Sequence, residues 1–350
     1  MKLFIKDKFS LKYPTWKLIK DKSVKLKIIS KIPSSLKNYL GDIKSIKSSD
    51  TLEINSNNIM IHGSKNILVL KTFTQKKKKD LNNQIIIYRK IIEKELPCPN
   101  IINTNRGYFF QLEKGDFGIA LDFINGKYFN GAKSDLEKTA NAISLCMNKL
   151  RTIKYDNLKV DKIFPSNSSE LIEKFMVSIS SKNCFSNKEK LFIRKNHKKI
   201  LFIENEILNQ MNTFKDIDYE LLHRDLHPHN IIINKNDVSL MDIDSILPTK
   251  WPIAFGFAVF KLLRQFCVRN KFNSQNINLM RNFINSLVRM SEIYEKDYKV
   301  LFLGAKVEIL RRILVIMEGN LNDNISPWNS VLGIQIKALS EVEYLENKLN

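Results

Sequence analysis

The chain has 350 residues, 43% of them hydrophobic, with 11 Gly and 9 Pro, so it can bury one large core or two lobes and holds little that reads as linker. Its net charge of +21 would ordinarily point to an anionic partner. The lysines, however, are spread through a sequence rich in Lys, Ile and Asn together, and no stretch interleaves aromatics with arginine as a base-stacking surface does, so no specific nucleic-acid partner is expected. The four cysteines (Cys98, Cys146, Cys184, Cys267) form no Cys-x-x-Cys pair and read as reduced thiols. No window approaches the roughly 18 apolar residues of a membrane span. The expectation is a soluble cytoplasmic protein without a transmembrane segment.

Residues 1–46 are basic and mixed, with a strand-like piece at Leu26 to Ile29, and read as an extension without an assigned role. An N-lobe is expected over 47–125. Strands are predicted at Leu52 to Ile54, Ile59 to Ile61 and Ile67 to Phe73, with turns at Asn55 to Asn58 and His62 to Ser64. A helix over about Asp80 to Lys94 places Ile85, Tyr88, Ile91 and Ile92 on one face and stops before Pro97 and Pro99. Two further strands follow, Tyr108 to Leu112 and Gly118 to Phe123. From 126 to 350 the pattern is mostly helical, with amphipathic runs at Ser134 to Thr152 and Asn187 to Met211. Later helices are predicted at Ala254 to Arg269, Asn276 to Tyr294, Tyr298 to Glu318 with Gly319 as the residue past its end, and from Ser326-Pro327 to the C-terminal region.

The chemistry concentrates in His223-Arg-Asp-Leu-His-Pro-His-Asn230, a His-Arg-Asp-(any four)-Asn run of the kind found in kinase catalytic loops. Ile231 to Ile233, a polar turn at Asn234 to Asp237, and Val238 to Met241 read as a hairpin that returns Asp242 to the side of Asn230. An acid, an amide and a second acid converging on one point make a metal-phosphate site. Asp225 would orient an acceptor hydroxyl and take its proton, with His223 bracing the loop or carrying a proton. Asn230 and Asp242 would hold Mg²⁺ on ATP phosphates, and Asp244 is either a third metal contact or a solvated turn residue. Lys71, in its strand, would pair with the α- and β-phosphates. The glycine-free turn Asn55-Ser56-Asn57-Asn58 would cover them. His223, Asp225, His227 and His229 alternate as a strand-borne zinc or iron site would, but Pro228 interrupts the alternation.

On these residues the chain resembles the aminoglycoside phosphotransferase and choline kinase superfamily. The specific part is Leu221 to Ser245; order and spacing match from about 50 to 345. Family members carry His-Gly-Asp-Leu-His-Pro-Gly-Asn and then Ile-Asp-(any)-Glu/Asp. Here Arg224 and His229 stand at the glycine positions, and the second run is Met241-Asp-Ile-Asp244. His227 replaces the lysine usual in protein kinases, and neither Asp-Phe-Gly nor Ala-Pro-Glu follows, which favours the small-molecule branch. The resemblance implies a bilobal α+β fold, with a small antiparallel β N-lobe carrying one helix and a mostly helical C-lobe. It implies ATP and Mg²⁺ as cofactors and γ-phosphoryl transfer to a small-molecule hydroxyl. It also places Gln84 where a helix glutamate usually fixes the lysine, with Glu93 or Glu95 as substitutes if the helix is shifted. Gly256 or its neighbours fall where an aspartate usually braces the catalytic loop. Basic residues in the C-terminal helices favour sugars and their derivatives as acceptors over polycationic aminoglycosides, with choline- or aminoglycoside-like acceptors still open. A kinase-like pseudoenzyme that binds nucleotide or a partner is the alternative.

Overall fold

The computed structural model describes residues 4, 15–49, 56–73, 87–112, 116–155, 160, 167–235, 237–290, 298–322 and 328–350. In chain order its elements are β1 (Trp16–Leu18), α1 (Lys22–Lys31), α2 (Ser34–Leu40), β2 (Ile43–Ser49), β3 (Ser56–Gly63), β4 (Ile67–Phe73), α3 (87–93), β5 (Phe109–Gln111), β6 (Phe117–Asp122) and β7 (Lys127–Tyr128). There follow α4 (Lys133–Arg151), α5 (Ser168–Ser178), α6 (Asn187–Lys195), α7 (His197–Gln210), β8 (Tyr219–His223), β9 (Ile231–Ile233), β10 (Val238–Leu240), β11 (Ile246–Lys250), α8 (Trp251–Arg269), α9 (Ser274–Met290), α10 (Tyr298–Leu321) and α11 (Leu332–Leu349). The chain forms two compact units. One is Leu11–Phe129 with His229–Asp244; the other is Met1–Ser10, Asn130–Pro228 and Ser245–Asn350.

The first unit is built on an antiparallel sheet in the order β1-β2-β3-β4-β6-β5. Period-two burial in β4 sends Leu68 and Leu70 to one face, where they join Ile32, Leu36, Leu40, Ile46, Ile61 and Phe110 in a core. Several of these residues lie in the segment 1–46, so the stretch set apart as an extension supplies strands and helices to this unit. The lobe expected to carry one helix therefore carries α1 and α2 as well as α3. The strand-like piece Leu26 to Ile29 is helical, because Asp21 caps α1 by accepting from the amides of Ser23 at 2.7 Å and Val24 at 3.3 Å. The predicted strand Leu52 to Ile54 lies outside the described residues. The hairpin β9–β10 and the short β7 form a second sheet of this unit.

The second unit is mostly helical, with β8 and β11 paired antiparallel at residues 219–223 and 246–250. Its core is the packing of α8 on α10. Among the described residues α8 is long and apolar enough to cross a membrane, contrary to the expectation that no such window exists. It is a core helix: 89% of that window is buried within the protein. The predicted run Asn187 to Met211 breaks at Asn196, whose side-chain amide donates to the Phe192 carbonyl and ends α6 before α7 begins. Gly319 lies inside α10, which runs two residues further because its final turn is packed rather than capped, with Asn320 buried. Ser326-Pro327 lies outside the described residues. An antiparallel sheet unit and a helical unit make the α+β, kinase-like organisation expected from the sequence.

Candidate active site

In the sheet unit, the same alternation that buries Leu68 and Leu70 puts Lys71 on the opposite face of β4, where it is 5% exposed. A buried ammonium needs counter-charge. It has two, Asp242 Oδ1 at 2.8 Å and Asp244 Oδ2 at 2.7 Å. Both aspartates arrive by the hairpin, whose register pairs Ile231 with Leu240 and Ile233 with Val238. The hairpin closes with the Met241 amide donating to the Asn230 carbonyl at 2.8 Å, and Leu240 is tied to the Pro97 carbonyl at 2.6 Å. Asp242 itself is left-handed, with φ of 57°, a conformation that aspartate tolerates better than most residues. That backbone turns its carboxylate toward Lys71.

The helix α3 enters through Tyr88, whose hydroxyl donates to Asp244 Oδ1 and whose ring lies edge-on to Phe109 at 5.3 Å. Burial, then the Asp244 carboxylate, push the Tyr88 phenol well above its ordinary pKa, so it stays a donor. Gln84 and Asn55 lie outside the described residues, and Glu93 and Glu95 are exposed. The expected cover turn is corrected in part. Ser56, Asn57 and Asn58 open β3 and pair in register with Phe73, Thr72 and Lys71, because the ladder to β4 continues through them. Two carboxylate oxygens aimed at one cationic position are hard donors of the kind Mg²⁺ takes, and the buried Lys71 ammonium suits a phosphate, so the residues present fit a magnesium–nucleotide ligand. Among the described residues no group of three or more His, Cys, Asp and Glu is arranged to hold a metal, so the alternating histidine run does not converge on one.

In the helical unit, His223 ends β8 fully buried, and its Nδ1 accepts the Asp225 amide at 3.3 Å. The Asp225 carboxylate meets Arg312 at 2.8 Å on Oδ1 and His227 Nε2 at 3.8 Å on Oδ2. Beneath it lies Glu308, with no exposure, held by Arg224, Arg311 and Arg312 at 2.7–3.1 Å. Arg224, bulky at a usual glycine position, is thus one wall of this network. His229, the other departure, belongs to the sheet unit and packs edge-on to Tyr128 at 5.1 Å.

Gly256 explains itself in the same region. A side chain there would overlap the Leu301 carbonyl, and one at Gly304 would overlap the Pro252 carbonyl, so the two glycines let α8 and α10 cross backbone to backbone. Gly304, Glu308, Arg311 and Arg312 follow one another at helical spacing, so the helix that crosses there carries Arg312 to Asp225 and Arg311 to Glu308. The contact to Asp225 comes from Arg312 of α10. Sequence reasoning missed Tyr88 and Glu308 as site residues. Glu308-x-x-Arg311-Arg312, with its i+3 and i+4 spacing, was the readable signal for the second.

No protein-family model matches the sequence, and no curated protein matches it either. Solved structures do. A spectinomycin phosphotransferase in complex with ADP and spectinomycin shares 16% identity over 90% of this chain and 97% of that one, with a TM-score of 0.67. Amicoumacin kinase in complex with AMP-PNP and Ca²⁺ shares 10% identity over 92% and 93%, at 0.59. The choline kinase of Streptococcus pneumoniae shares 14% identity over 92% and 99%, at 0.57. At these identities the likeness is one of fold: the chain has the fold shared by aminoglycoside phosphotransferases and choline kinases.

Proposed function

We propose that the protein is an ATP-dependent phosphotransferase that moves the γ-phosphoryl group to a hydroxyl of a small molecule, working in the cytoplasm, with sugars and their derivatives the favoured acceptors. The observation that carries this reading is Lys71 held between Asp242 and Asp244, immediately after the hairpin that begins at Asn230. Bound Mg·ATP would supply the electrophilic phosphorus and neutralise its developing charge. Asn230 and Asp242 would hold the metal, with Asp244 beside them, and Lys71 would bind the α- and β-phosphates. Asn55 to Asn58 and Gln84 keep the nucleotide-side roles given by the sequence. Asp225 would orient the acceptor hydroxyl and receive its proton, and His223 would fix the loop through the Asp225 amide. The neighbours of like fold, named for kinase activity and crystallised with ADP or AMP-PNP, support the same reading.

The test is Mg²⁺-dependent ATP consumption by the pure protein, compared with Asp225→Asn. Loss of the base should lower acceptor-stimulated turnover by about 10²- to 10⁴-fold with nucleotide binding kept. Equal turnover in the variant would sink the assignment of Asp225. Nucleotide binding without any turnover in the wild type would favour the pseudoenzyme.

A further inference from the structure

Positive charge outnumbers negative charge around Asp225. Three guanidinium groups, those of Arg224, Arg311 and Arg312, stand against two carboxylates, those of Glu308 and Asp225. A buried carboxylate needs one counter-charge to be tolerated. Arg224 meets that need for Glu308, with its side chain 8% exposed. Arg312 meets it for Asp225, so Arg311 is the one guanidinium in excess; the Arg311 and Arg312 side chains are 23% and 25% exposed, like the 25% of Asp225 itself. The Arg312 guanidinium carbon also lies over the Phe257 ring, 4.3 Å from its centroid, and the Lys261 ammonium approaches the same ring at 5.7 Å. A guanidinium over a ring face gains a cation–π attraction while its N–H groups remain available for hydrogen bonds.

Donors remain on both arginines. Arg311 spends Nε and one terminal nitrogen on Glu308; Arg312 spends Nε on Glu308 and one terminal nitrogen on Asp225. Each guanidinium carries five N–H groups, so each keeps a terminal nitrogen for a further anion.

We infer that the acceptor is an anionic hydroxy compound, bearing a phosphate or carboxylate near the hydroxyl it offers, and that Arg311 and Arg312 bind this anion while Asp225 receives the hydroxyl. The inference rests on the phosphotransferase reading. The acceptor oxygen forms a bond to the γ-phosphorus, the bond from that phosphorus to the β–γ bridging oxygen breaks, the hydroxyl proton passes to Asp225, and ADP leaves. A cationic acceptor such as choline would bring like charge to the same arginines.

The experiment needs no knowledge of the full acceptor. Protein saturated with Mg·AMP-PNP is titrated at constant ionic strength with inorganic phosphate, acetate or choline, and the midpoint of thermal unfolding is followed. Phosphate or acetate should raise it saturably, whichever does so identifying the anion, and choline should not. The apparent affinity for the anion should fall by about tenfold in Arg311→Gln and return in part in Arg311→Lys. Stabilisation by choline equal to that by either anion would overturn the inference, as would an anion effect undiminished in Arg311→Gln. Should Arg311→Gln fold poorly, the wild-type comparison of anion with choline decides alone. Because the titration involves no turnover, its failure is distinct from a failure of the Asp225→Asn comparison.

Discussion

Glu308 is fully buried and nonetheless ionised. Burial opposes its charge, but Arg312, Arg311 and Arg224 outweigh burial and hold its carboxyl well below the ordinary value of 4.5. A depressed carboxyl pKa gives stability that is present above the unfolded value and lost as pH falls through the folded one. Wild-type protein should therefore lose this contribution on acidification below about pH 4.5. Glu308→Gln should cost about 3–5 kcal/mol at pH 7, since it leaves arginines unneutralised, and should flatten the acid limb. Urea unfolding at pH 7 and near pH 4 checks both. Lys71 offers a second residue-scale prediction. With its ammonium on both aspartates, Lys71 offsets one of the two carboxylate charges at the position where the proposed metal would bind. On the proposed roles, Lys71→Met should bind Mg²⁺ more tightly in the absence of nucleotide and ATP more weakly, which calorimetric titration would separate. The return of Asp242 to the side of Asn230 was legible in the sequence because the hairpin between them is local. Tyr88 was not, since its hydroxyl meets Asp244 across 156 positions of sequence and its helical face looked merely apolar.

At the scale of elements, the crossing of α8 and α10 depends on two absent side chains. Gly304→Ala places a methyl group against the Pro252 carbonyl, so the helices must separate. Overpacking of this kind costs about 1–3 kcal/mol. The shift also moves Arg312 relative to Asp225, so on the proposed roles kcat should fall more than nucleotide affinity does; paired kinetics and binding measurements would show the split. Elements with local determinants were the ones legible in advance. The hairpin follows from its apolar flanks and the polar turn at 234–237, and β4 from its β-branched alternation. Features set by distant partners were not: Ser56 to Asn58 looked like a turn until β4 supplied a ladder partner, and the close crossing of α8 on α10 needs Gly256 and Gly304 on separate helices.

For the molecule as a whole, a net charge of +21 means like charges repel in the compact state. Raising NaCl from about 20 to about 200 mM shortens the screening length severalfold and should raise the unfolding midpoint, as calorimetry would register. The more consequential whole-chain property is that the sheet unit is discontinuous. Its residues 11–129 are completed by 229–244, about a hundred positions later. The counter-charges of buried Lys71 come from that late segment, 171 and 173 positions downstream of it for Asp242 and Asp244. During synthesis, then, the first-made unit waits with an unneutralised ammonium and an unfilled sheet neighbour until the β9–β10 hairpin has emerged. Native closure of the early segment and completion of the Lys71, Asp242 and Asp244 cluster become a single late event, so an N-terminal fragment alone should yield neither a cooperative fold nor that cluster.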